Sequence, residues 1–104
     1  MIKVQIVRNE ASQIVDCHIT GHAEYDEHGY DIVCAAVSSL ACTAVLGLEQ
    51  VAKQRGTYTN SSGDLIIKLD GEITDQSQTI LETMMLGLEE ISKQYSDFVT
   101  LSDM

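Results

Sequence analysis

The chain has 104 residues, with sixteen acidic side chains against six basic ones and a formal charge of −10, the length expected of one domain over 1–104. That balance argues against direct binding to nucleic acid or to an anionic membrane surface and favours a basic partner or substrate. Three cysteines, an odd number, and no signal-like start point to a reducing, cytoplasmic setting rather than to a disulfide framework.

Ile2, Val4 and Ile6 alternate with Lys3 and Gln5, and Val15, Cys17 and Ile19 alternate with Asp16, His18 and Thr20. This predicts a hairpin closed by a polar turn around Asn9 to Ser12. Cys17 then faces the core, while His18, Thr20 and, if the strand continues, His22 point to the other side. Ala23 to Tyr30 carries three acids, two tyrosines and a glycine without an apolar period, and reads as a loop. It joins the His22 end to the Cys34 end, so it is either a lid over that region, with Gly29 as a hinge, or an ordinary surface loop.

From Asp31 to Gln54 there is no proline and one glycine, which predicts a long helix with Asp31 as its N-cap and Ile32, Val33 and Cys34 as its first turn. The uncharged run from Ile32 to Leu48 is apolar on every face and holds Ser38, Ser39 and Thr43, so it reads as a central buried helix rather than a membrane span. Arg55-Gly56 is a stop signal. Thr57 to Asn60, the turn Ser61 to Asp64 and the alternation Leu65, Ile67, Leu69 predict a second hairpin. Asp75 with Gln78 resembles a capping box for a second helix, whose apolar face reads Ile80, Met84, Leu88, Ile91 and Tyr95. Phe98 to Leu101 predicts a closing strand.

Leu46-Gly47-Leu48-Glu49-Gln50-Val51-Ala52-Lys53-Gln54 is echoed forty residues on by Leu86-Gly87-Leu88-Glu89-Glu90-Ile91-Ser92-Lys93-Gln94. The fold class expected is therefore α+β: two hairpin-helix units plus a final strand, with a central sheet packed against two helices. At the same offset Cys34 becomes Thr74 and His22 becomes Ser62, so only the first unit could carry a thiol site.

A cysteine in a capped first turn meets unpaired amides and the positive end of the helix dipole, which favour the thiolate, although Asp31 opposes this as a nearby like charge. His22 is a chemically suitable proton acceptor for it. The other reading of Cys34 is a small buried hydrophobe in an apolar helix. Ser38, one turn on, lies nearly on the same face and is placed to bond near the sulfur or back to its own backbone. Cys34 and Cys42 are separated by about 12 Å along the helix and cannot form a disulfide. Cys17, His22, His28 and Cys34 offer zinc ligands, but no CxxC or HxxxH pair occurs and Cys17 should face away from His22. No cofactor is expected.

Gly21-His22-Ala23, a short loop, then Gly29, Asp31-Ile32-Val33-Cys34-Ala35-Ala36 and Ser38 resemble the signature of the bacterial ribosomal-processing cysteine protease family, Prp, over essentially the whole chain. The resemblance implies a homodimeric cysteine endopeptidase that removes the N-terminal extension from the precursor of the twenty-seventh protein of the large ribosomal subunit, cutting after a phenylalanine pair. It implies Cys34 as nucleophile and His22 as general base, with Gly21, Ala23, Gly29, Asp31 and Ser38 in support and the loop from Ala23 to Tyr30 ordering over substrate. The other class of function the sequence allows is a non-catalytic, acidic, ribosome-associated module that holds a basic protein without cutting it.

Overall fold

The computed structural model describes residues 1–21, 28–61 and 63–103, with residues 28–31 described by their backbone. The elements run β1 (Ile2–Arg8), β2 (Ile14–Thr20), α1 (His28–Gln50), β3 (Gly56–Ser61), β4 (Asp64–Leu69), α2 (Asp75–Gln94) and β5 (Val99–Asp103). The strands form one sheet in the order β3-β4-β2-β1-β5, antiparallel except where β5 joins β1. This is the α+β arrangement of two hairpin-helix units and a final strand that the alternation and the echo predict.

Strict alternation sets what the sheet can bury. Ile2, Val4 and Ile6 are buried between exposed Lys3, Gln5 and Val7, and Cys17, Ile19, Leu65 and Ile67 continue the buried face across the central strands. Both helices pack on that face, and the outer face of the sheet stays open. Val33, Val37, Ala41 and Leu48 of α1 meet the sheet, as do Leu81, Met85 and Leu88 of α2. Residues Ile32–Gln50 are long and apolar enough to cross a membrane by composition, with a mean hydropathy of 1.9. Here one side of that helix fills the core. The expected covering on every face is not found, because Ile32 and Leu46 are about half exposed, at 52% and 54%.

Helix boundaries depart from expectation in two places. The first helix begins at His28, so Asp31 lies inside it and is not its cap, and Gly29 and Tyr30 are helical rather than part of a loop. Among these residues the weakest helix former is Gly29. Its cost of about 1 kcal/mol is met readily when each residue added to an existing helix gains a backbone hydrogen bond. The second helix is capped by Thr74, whose hydroxyl accepts from the Ser77 amide at 3.1 Å, in place of the expected Asp75. Gln78 is used elsewhere: its side chain accepts from the Ile14 amide at 2.7 Å and donates to the Ile14 carbonyl at 2.9 Å, joining α2 to the start of β2.

Gln54, 4% exposed, closes the second unit. Its Nε2 donates to the carbonyls of Arg55, Asp70 and Glu72 at 2.9, 3.2 and 3.0 Å. Its Oε1 accepts from the Thr74 amide at 3.0 Å, and its own carbonyl accepts from the Tyr58 hydroxyl at 2.7 Å. One side chain therefore satisfies the backbone that connects β4 to α2. Gln54→Ala takes the side-chain partner from the Arg55, Asp70 and Glu72 carbonyls and from the Thr74 amide, and should lower the unfolding free energy by about 1–3 kcal/mol in urea titration, with an unchanged slope.

Candidate active site

The strand β2 ends at Thr20 and delivers the residue that follows it, Gly21, to the first turns of α1. Gly21 has φ +80, and a Cβ there would lie 2.3 Å from the Met1 carbonyl oxygen, so glycine is required both by conformation and by space. Its amide donates to the Gly63 carbonyl at 3.0 Å, which ties the end of β2 to the turn between β3 and β4. Its carbonyl accepts from the Cys34 thiol, with Sγ at 3.9 Å. The backbone of one glycine thus meets the amino-terminal strand, the second hairpin and the thiol.

Cys34 is 2% exposed and sits between the fully buried Val33 and, one turn on, Val37. Because α1 starts at His28, Cys34 lies in its second turn rather than the first. The amides without an intrahelical partner are those of residues 28–31, and the dipole acts over that first turn. The expected oxyanion donors at the Cys34 position are therefore displaced one turn upstream. Ser38 follows Cys34 by one turn and is half-buried. His22 and Ala23 lie outside the described residues, as does the loop from Ala23 to residue 27. Of the predicted set, the structure brings Gly21 and Cys34 together and places Gly29 and Asp31 on the same helix by backbone.

The other two cysteines are chemically distinct. Cys17 is 1% exposed on the core face, opposite Ile6 and Ile67, and burial, helped by Asp16, pushes its thiol up to about 12. It stays protonated and structural, as the strand phase predicts. Cys42 is exposed on α1, where the Asn60 amide donates to its sulfur at 3.6 Å. His18 points to the outer face of the sheet and pairs with Asp64, beside the turn that holds Gly21. Sequence reasoning missed Gly63 and Met1 as parts of the site. A carbonyl that acts by its position carries no side-chain signal.

The sequence profile of the family described as Cysteine protease Prp matches residues 1–100. The ribosomal processing cysteine protease Prp of Staphylococcus aureus is 31% identical over 104 residues, covering 98% of each chain. A crystal structure of the essential ribosomal processing protease Prp from S. aureus in complex with a substrate peptide superimposes with a TM-score of 0.92 at 28% identity, covering 100% of both chains. A second, with a covalently linked product peptide, gives a TM-score of 0.89 at 29% identity over 100% of both chains. In sequence and in fold, the chain belongs to the cysteine protease Prp family.

Proposed function

We propose that this chain, as one protease domain over residues 1–104, is a cytoplasmic ribosomal-processing endopeptidase with Cys34 as nucleophile and His22 as general base. Its substrate is the precursor of the twenty-seventh large-subunit ribosomal protein, cut after a phenylalanine pair. The observation that carries this reading is the 3.9 Å approach of Cys34 Sγ to the carbonyl of Gly21, the residue peptide-bonded to His22.

In this mechanism His22 takes the Cys34 proton, and the thiolate attacks the scissile carbonyl. The tetrahedral adduct collapses to a thioester as His22 returns the proton to the leaving amine, and water then releases the new carboxylate. Amides of the first turn of α1 are the nearest helix donors for the oxyanion. Covalent catalysis of this kind agrees with a relative that holds a product peptide covalently. The net charge of −10 would draw in a basic ribosomal protein.

The homodimer belongs to the same proposal. Between the outer sides of α1 and α2 runs an apolar groove of about 730 Å³. Its lining pairs up at the forty-residue offset: Leu40 with Ile80, Thr43 with Thr83, Gly47 with Gly87. A surface with internal two-fold character suits an isologous contact with a second copy.

Cys34→Ala and His22→Ala should each reduce cleavage of the extended ribosomal protein more than about 1,000-fold, read as fragment masses, with circular dichroism unchanged. Intact substrate in the presence of the folded, reduced wild-type protein would instead favour the acidic binding module. Thr83→Arg, placing a charge in the groove from an exposed position, should shift sedimentation from dimer to monomer mass while the melting temperature changes by only a few degrees.

A further inference from the structure

Among the described residues, the strand β3 is an edge of the sheet, paired on one side only, with β4. Its sequence Gly-Thr-Tyr-Thr-Asn-Ser contains neither a charge nor a proline. Edge strands normally carry such devices to prevent pairing with another chain. The opposite edge has one, since Asp103 at the end of β5 is held by the Arg8 guanidinium at 2.9 Å. In a chain this rich in acid, an uncharged six-residue edge is left ready to accept a strand.

Directly beneath that edge is a second apolar slot of about 270 Å³, formed by Cys42, Val45 and Leu46 of α1 and Tyr58, Asn60 and Leu65 of the second hairpin. The slot lies on the same helix as Cys34. Cys42 is eight residues further along, so the slot is about 12 Å from the thiol along the helix axis, the span of about three to four residues of extended chain. The far end of β3 leads to the turn whose Gly63 carbonyl holds Gly21. Val45 is eleven residues from Cys34, about three full turns, so the slot opens on the side of α1 that carries the buried thiol.

We infer that the open edge of β3 and the slot between it and α1 form an extended subsite for the polypeptide substrate. The substrate adds as a strand to β3 and sets one apolar side chain, three to four residues from the scissile bond, into the slot. Backbone pairing supplies sequence-tolerant affinity, and the slot supplies selectivity at one position. This rests on the protease reading in that it takes the bound chain to be the one cut at Cys34. The occupant is a substrate rather than a second copy because the slot lies on the side of α1 that carries Cys34, about 12 Å along the helix, whereas the pseudo-symmetric groove lies on another side of α1.

The test uses three fluorescent peptides that carry the phenylalanine pair. One is trimmed to about two residues on each side of the cut, and two are extended to about six residues on one side or the other. Their affinities are measured for Cys34→Ala and for Cys34→Ala combined with Leu46→Arg, a change at a half-exposed position that blocks the slot mouth. One extended peptide should bind about tenfold more tightly than the trimmed one, and Leu46→Arg should remove that gain while leaving the trimmed peptide unaffected. Equal affinities for all three peptides, no binding, or a gain that survives Leu46→Arg would overturn the inference. So would a halving of the sedimentation mass on Leu46→Arg, which would assign the edge to a second copy. Cleavage by the wild type is read separately. Uncut peptides that keep the Leu46-dependent gain would remove the protease reading and leave the peptide groove standing.

Discussion

A sheet with one apolar face has room for two helices only if they pack closely side by side, and two glycines allow it. A Cβ on Gly87 would lie 2.9 Å from Leu40 Cδ1, and one on Gly47 would lie 3.2 Å from Ile80 Cδ1. These are one contact made twice, since the forty-residue echo carries Gly47 to Gly87 and Leu40 to Ile80. The helices run antiparallel across this crossing, each offering its glycine to the other's branched side chain. With the axes that close, Leu81, Met85 and Leu88 of one helix and Val33, Val37 and Leu48 of the other reach the same layer of strand residues.

The strands were legible because burial on one face writes itself as alternation, and the helix pair was legible as a repeat. The apolar stripe of α2 was legible in part, Met84 and Leu88 being buried as expected. Ile80, Ile91 and Tyr95 belong to its edge, Tyr95 being 40% exposed, while Leu81 and Met85 are buried. The helix has two neighbours, the sheet and α1, so its apolar surface is wide and a single stripe marks only part of it. The caps were misread for a related reason. Asp31 and Asp75 have cap chemistry, but Thr74 caps just as well and lies where the chain turns, and nothing before Asp31 was poor enough in helix propensity to stop α1.

The candidate site was legible as residue types, a histidine and a cysteine bracketing a short segment. Its support was not. Gly63 and Met1 act on Gly21 through carbonyl oxygens, and any residue type would supply those, so no pattern of side chains announces them. The Gly21 requirement itself comes from neighbours far off in the chain.

The two units differ where strand passes to helix, and the proposed catalytic pair lies at that difference. In the second unit the passage is sealed by Gln54, and Thr74 begins α2 as its cap. Cys34 occupies the echoed position in the first unit, but α1 extends further back, to His28. The added residues draw Cys34 out of the reach of the helix end, where an anion gains most, and into the second turn, where amides already have partners. The Cys34 sulfur is nearly fully buried and lies beyond the turn over which the helix dipole acts. The chain carries His22 next in sequence to Gly21, whose carbonyl accepts from the thiol, and the echoed position in the second unit holds a serine, Ser62.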